Sequence, residues 1–345
     1  MRPQKQGFTL VELMLATAIF SIIVLVLATL IARAQETYST VTRTADQFRP
    51  ARLAFELITS RIEQATLNTY WDYDDLDNPT KYVRQSDLHF IAGPADGILQ
   101  SGSTGGHAVF FQAPLGITST RGLEDDPYEG MESLLNSWGY YLDYGNDVAT
   151  WPPFLRGQQG ISKASKWRLM EFRKPTEELD IYDLRNEETK TKNALYQWVS
   201  QSAAASSKPI AENIIALVIQ PRTFSRQNQP DSEIRVAPEY LYDSREFEWG
   251  GGANIEGSRI NLTRNQLPPI LDVSMVALAE ASVSRYLALN GEDALRNVIP
   301  NGLFSDSRDY ESDLETLQGS LDDEGLEYQL FSTTVLIRAS KWSEG

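Results

Sequence analysis

One carboxylate stands alone in the longest apolar run of the chain. From Phe8 to Leu30 the sequence reads FTLVELMLATAIFSIIVLVLATL, and Glu12 is its only charged residue. A helix of this length reaches about 35 Å, enough to cross a hydrocarbon core of about 30 Å. A charged side chain inside such a helix costs roughly 2.5–3.5 kcal/mol on insertion scales, so a retained carboxylate needs a partner. The chemistry open to Glu12 is charge pairing in a low-dielectric setting, not bond making.

Other candidates are weaker. Asp72, Asp74, Asp75 and Asp77 crowd one short segment, Asp72-Tyr73-Asp74-Asp75-Leu76-Asp77-Asn78. Clustered oxygen ligands suit calcium, which takes 6–8 of them. The glycine and distal glutamate of an EF-hand loop are missing, so a solvated acidic turn is the simpler reading. Calcium is the only cofactor the sequence suggests. Glu124-Asp125-Asp126 and Asp322-Asp323-Glu324 make still weaker clusters. The only two histidines, His89 and His107, have no ligand partner at helical or hairpin spacing and read as structural. No Gly-x-Ser-x-Gly elbow occurs, Gly250-Gly251-Gly252 lacks a P-loop lysine, and there is no cysteine. Nothing here anchors an enzyme. Trp138, Tyr140, Tyr141, Tyr144 and Trp151 could form a carbohydrate or partner surface, though core packing is their commoner use.

The elements that must position these residues follow from patterning. Between Arg33 and Leu67 there is no glycine. Tyr38, Val41, Ala45, Phe48, Ala51, Phe55, Ile58, Ile62 and Ala65 recur every three or four residues, one face of a helix. Arg43, Asp46, Arg49, Glu56 and Glu63 take the opposite face. One helix from about Thr9 to Ala65 is expected, kinked or split at Pro50. Its first half lies in the membrane and its second half covers a globular domain.

After Trp71 short apolar runs alternate with Gly, Pro, Asn and Asp clusters. Predicted strands are Leu88–Ala92, Ala108–Gln112, Tyr140–Tyr144, Trp167–Arg173, Ile214–Gln220, Ile270–Ala279 and Tyr328–Arg338. Helical patterns lie at Ala194–Ala205, Glu280–Leu289 and Tyr310–Leu321. Strands outnumber helices and do not alternate with them, which predicts an α+β fold with a mostly antiparallel sheet. Residues 93–137, 145–166, 175–193 and 222–265 read as long loops or insertions.

Gly7-Phe8-Thr9-Leu10-Val11-Glu12, behind a basic leader and before an apolar run, resembles the processing site of type IV pilins and type II secretion pseudopilins. The resemblance implies a prepilin peptidase that cuts between Gly7 and Phe8 and methylates the new amine of Phe8. It implies a role for Glu12 in pairing with such an amine, on its own chain or on a neighbouring pilin-like subunit. Two costly charges then become one ion pair. A secretory signal peptide would have a shorter apolar region and a small-residue cleavage site. A plain membrane anchor explains the length but not the six-residue motif.

Two head segments, Ile210–Ile219 and Leu267–Met275, resemble J-type minor pseudopilins, although this chain is considerably longer. Gln64–Trp71 and Phe331–Trp342 resemble the large pilin-like cassette protein C (Verru_Chthon) family.

The expected organisation is a leader at 1–7, a transmembrane and assembly helix at 8–32, its amphipathic continuation at 33–67 and an exported head at 68–345. Lys and Arg in the leader favour a cytoplasmic N-terminus and an extracytoplasmic head, with inner-membrane lipid around the helix. Loss of Arg2 and Lys5 takes the formal charge from −16 to −18. Such acidity repels phosphates, so nucleic acid is not an expected partner. The alternative function is a membrane-anchored exported protein that binds a glycan or protein ligand.

Overall fold

The computed structural model describes residues 9–73, 77–80, 82–102, 104–120, 122, 125–146, 148, 152–156, 165–182, 196–224, 235–246 and 263–341. The chain forms two compact units, Met1–Arg49 and Pro50–Gly345.

The first unit is helix α1, Leu10–Gln47. Its stretch Leu10–Gln35, 26 residues, is long and apolar enough to cross a membrane, and none of its most apolar window is buried. Leu10, Val11, Met14, Phe20 and Leu25 are each at least 60% exposed, bare apolar surface suited to lipid or other helices rather than water.

The expected single helix is two helices. Phe48 interrupts it, and α2 runs Arg49–Ile62. Pro50 therefore sits in the first turn of α2, where its missing N–H removes no helical bond. Ala51, Ala54, Phe55, Ile58 and Ile62 are buried, so this part of the apolar stripe faces the head's core as the spacing predicts, while the side chains of Tyr38, Val41 and Ala45 lie outside the described residues.

The second unit is built on antiparallel sheets. Strands β1 (Tyr70–Tyr73) and β2 (Tyr82–Gln85) make a hairpin. Next come β3 (Ile91–Pro94), helix α3 (Ala95–Leu99), β4 (Thr104–Ala113), β5 (Asn136–Gly145), α4 (Pro153–Arg156) and β6 (Lys166–Lys174). Two short helices, α5 (Gln197–Ser200) and α6 (Ala203–Ser206), lead into β7 (Ser207–Glu212) and β8 (Ile214–Arg222). The chain ends with β9 (Tyr242–Asp243), β10 (Ile270–Leu278), α7 (Glu280–Asn290), α8 (Tyr310–Asp323) and β11 (Tyr328–Leu336). The larger sheet has the order β7-β6-β5-β4-β3-β9, and the smaller one β11-β10-β8. This is the expected α+β class, a long apolar helix with a mostly antiparallel head.

Cross-strand pairs assign the two faces of the larger sheet. On one face Phe110, Tyr141, Met170 and Phe172 pack with Trp198 and Val199 of α5, Ala203 of α6 and Ile98 and Leu99 of α3. Gly139, opposite Phe110, makes room for that ring; a Cβ there would lie 2.0 Å from Phe110 Cδ1. On the other face Val109, Phe111, Trp138, Tyr140, Leu142 and Leu169 are buried. Arg61 of α2 lies 4.1 Å over the Trp138 ring and pairs with Glu171, while its Nη1 donates to the Tyr140 hydroxyl at 3.1 Å. A single cation thus seats α2 on the sheet. Strand β8 crosses this face close to β4. At Gly106, with φ +59°, a Cβ would meet the Leu217 carbonyl oxygen at 3.0 Å.

The two sheets share a strand corner. Asn213, in the left-handed region at φ 59°, separates β7 of the larger sheet from β8 of the smaller. Its carbonyl accepts from Leu278 N–H at 2.8 Å, and its side chain bonds Glu280. Residues 207–212 form an edge strand, and only Asn213 makes the turn.

Candidate functional site

The start of α1 is built by two side chains. Thr9 precedes the first helical residue, and Glu12 stands three positions later. The Thr9 backbone N–H and the Thr9 hydroxyl both donate to Glu12 Oε2 at 2.9 Å. Glu12 N–H donates in return to Thr9 Oγ1 at 3.3 Å. This is a reciprocal capping box, which satisfies backbone donors that a helix start would otherwise leave bare. The signature Thr-x-x-Glu was present in the sequence, but Glu12 was read there for charge pairing alone.

Along the membrane-length stretch every hydroxyl is turned inward. Thr17 donates to the carbonyls of Leu13 (3.1 Å) and Met14 (3.0 Å), Ser21 to Thr17 (2.8 Å) and Thr29 to Val26 (2.7 Å). Such bonds make these residues cheap in lipid. Glu12 differs: Oε2 is taken, while Oε1 accepts no hydrogen bond among the described residues. One carboxylate oxygen at the membrane end of the helix is left for a further donor. Gly7 and Phe8, the expected cleavage pair, lie outside the described residues.

The remaining candidates separate. Asp74 and Asp75 of the acidic cluster lie outside the described residues. Asp72 is half-buried on β1 and accepts from the Tyr73 backbone N–H at 2.8 Å. Among the described residues no group of three or more His, Asp or Glu side chains is arranged to hold a metal ion.

Both histidines are fully buried ties. His107 Nε2–H donates to the Phe304 carbonyl (2.9 Å), and its Nδ1 accepts from Ile219 N–H (3.0 Å), so one imidazole joins β4, β8 and the segment before α8. Burial holds its pKa down to about 4, so it is neutral. Trp198 Nε1–H donates to His89 Nδ1 (3.1 Å), which leaves Nε2–H to donate to Asp243 Oδ1 (2.7 Å). Burial lowers the His89 pKa as well. Asp243 stays ionised, also receiving the Arg245 backbone N–H at 2.9 Å.

The aromatic cluster expected as a possible ligand surface is core. Trp138, Tyr140, Tyr141 and Tyr144 are all buried by the packing of both sheet faces, and Trp151 lies outside the described residues. Exposed rings occur on the β1–β2 hairpin instead. Trp71 (60%), Tyr73 (42%) and Tyr82 (63%) share one face with Arg84. Tyr73 and Tyr82 stack at 4.7 Å, and Arg84 lies 5.2 Å over Trp71. This segment read as an acidic turn because its aspartates masked the alternation of its rings.

With this geometry in place, residues 2–28 match the prokaryotic N-terminal methylation motif. The matched segment covers the basic leader, the capped helix start with Glu12 and most of the apolar stretch. The N-terminus thus carries the motif found in type IV pilin-like proteins, and the motif and the apolar helix together fit a membrane-anchored protein. No curated protein and no solved structure matches the chain.

Proposed function

We propose that this chain is a non-catalytic pilin-like subunit of the minor pseudopilin kind. A prepilin peptidase cuts it after Gly7, Phe8 is methylated at its new amine, and α1 assembles with other pilin-like subunits into a filament related to type II secretion systems or type IV pili. The observation that carries this reading is the methylation motif over a capped, membrane-length helix with one carboxylate oxygen still open. Before assembly the chain is a single-pass inner-membrane protein with its acidic head outside. On assembly α1 moves from lipid to a bundle of neighbouring helices, so little apolar surface meets water at any stage. Glu12 sets the register by pairing with the Phe8 amine of an adjacent subunit.

Glu12→Ala is the test. Co-purification or crosslinking with partner subunits should fall steeply while membrane insertion and leader cleavage persist. Unchanged assembly would remove Glu12 from the mechanism.

A second reading rests on the exposed rings of the hairpin. Trp71, Tyr73 and Tyr82 offer a stacking platform for a saccharide, in a membrane-anchored binding protein that uses a pilin-type leader. Glycan-array binding that disappears in Trp71→Ala, with assembly intact, would favour it.

A further inference from the structure

The smaller sheet ends in an edge strand that is unusually open. Backbone bonds from Ala279 N–H to Glu327 C=O (2.8 Å) and from Ile337 N–H to Pro269 C=O (3.0 Å) bracket β11. The register runs without a break from Ile270↔Leu336 to Leu278↔Tyr328. Alternation then turns the backbone groups of Gln329, Phe331, Thr333 and Val335 toward β10, and those of Tyr328, Leu330, Ser332, Thr334 and Leu336 outward. Among the described residues none of these outward groups has a backbone partner; the Leu330 carbonyl accepts only the Gln329 side chain, at 3.1 Å.

Edge strands are normally blunted by charge, proline or shortness. The edges of the larger sheet follow that rule: β7 carries Lys208 and Pro209, and β9 has two residues. The nine residues of β11, Tyr-Gln-Leu-Phe-Ser-Thr-Thr-Val-Leu, contain no charge, proline or glycine. Ser332, Thr333 and Thr334 at its centre are exposed.

We infer that β11 pairs antiparallel with β11 of a second copy, joining two three-stranded sheets across a two-fold axis at Ser332. The outward groups are symmetric about that residue: Leu330 meets Thr334, and Tyr328 meets Leu336. The ends of the strand are complementary in charge. Exposed Asp322, Asp323, Glu324 and Glu327 precede it; exposed Arg338, which also pairs with Glu63 of its own chain at 2.7 Å, and exposed Lys341 follow it. Two-fold antiparallel pairing sets each acidic end beside the other copy's basic end, and no like charges fall opposite one another within the ladder. The net charge of −16 opposes association, so pairing depends on this ladder and these ends.

The chain has no cysteine, so introduced thiols report without background. The full chain in lipid nanodiscs carrying Ser332→Cys should oxidise to a disulfide dimer, because residues opposed in such a ladder have Cα atoms about 5.5 Å apart. Leu336→Cys alone should give at least about tenfold less, its two copies being far apart in this register. Mixing Tyr328→Cys with Leu336→Cys chains should restore the crosslink. This mixture carries the test if Ser332→Cys, whose native hydroxyl lies 3.0 Å from Ser274 Oγ, loses its circular dichroism signal. Absence of dimer from both arrangements in folded protein would overturn the inference. So would equal crosslinking by Leu336→Cys alone, or crosslinking that appears only when a different pilin-like subunit is added.

Discussion

At the residue scale the capping contacts of Glu12 and its proposed pairing with an amine can be separated by mutation. Thr9→Ala removes the hydroxyl half of the capping box but leaves the carboxylate. Helix caps of this kind contribute about 1 kcal/mol, so the amides of residues 10–13 should exchange roughly fivefold faster while assembly survives. Equal loss of assembly in Thr9→Ala and Glu12→Ala would make capping the whole role of Glu12. His107 supplies a pH prediction. Its folded pKa of about 4 lies below the unfolded value of about 6.5, so the unfolded chain binds the extra proton between those values. Stability is therefore fully present above pH ~6.5 and falls as the pH drops toward ~4, by about 3 kcal/mol from this residue. Buried His89 acts in the same direction. Urea midpoints of the wild type should fall across that window, and those of His107→Gln, lower throughout, should fall less.

At the element scale one contact holds α2 to the larger sheet and another fits two of that sheet's own strands together. Arg61→Ala strands the Glu171 carboxylate, 11% exposed, against Trp138 and Tyr140. A loss of about 2–4 kcal/mol is expected in denaturant unfolding, with partial recovery in Arg61→Met/Glu171→Leu. Gly139→Ala drives a Cβ into the Phe110 ring and should cost about 1–3 kcal/mol, relieved by adding Phe110→Leu. These contacts also show why parts of the fold were legible in sequence. The stripe Ala51–Ile62 and the strands around Ala108–Gln112, Tyr140–Tyr144, Ile214–Gln220 and Ile270–Ala279 announce themselves because burial on one or both faces leaves a periodic or continuous apolar record. β7 did not: Ser207–Glu212 is an edge strand with Lys208 and Pro209, and its composition reads as loop. The expected helix at Ala194–Ala205 yields two short helices, Gln197–Ser200 and Ala203–Ser206, because burying Trp198, Val199 and Ala203 against the sheet outweighs helical continuity. No periodicity could announce the sheet-switching corner at Asn213, which depends on one left-handed residue. At the candidate site Glu12 was visible as a lone charge, whereas its bond to Thr9 required noticing a three-residue spacing.

At the scale of the whole molecule, a bare apolar helix and a strongly acidic head are carried on one chain. Each suits a different medium, and under the proposed function the peptide bond after Gly7 is the point at which the chain passes from membrane precursor to assembling subunit. Everything assigned to Glu12 beyond capping presumes the amine that this cut creates. Mass spectrometry of the N-terminal peptide from membrane-purified protein addresses that directly. The account predicts a chain beginning at N-methylated Phe8; an intact Met1, or a chain cut after Ala32, would contradict it.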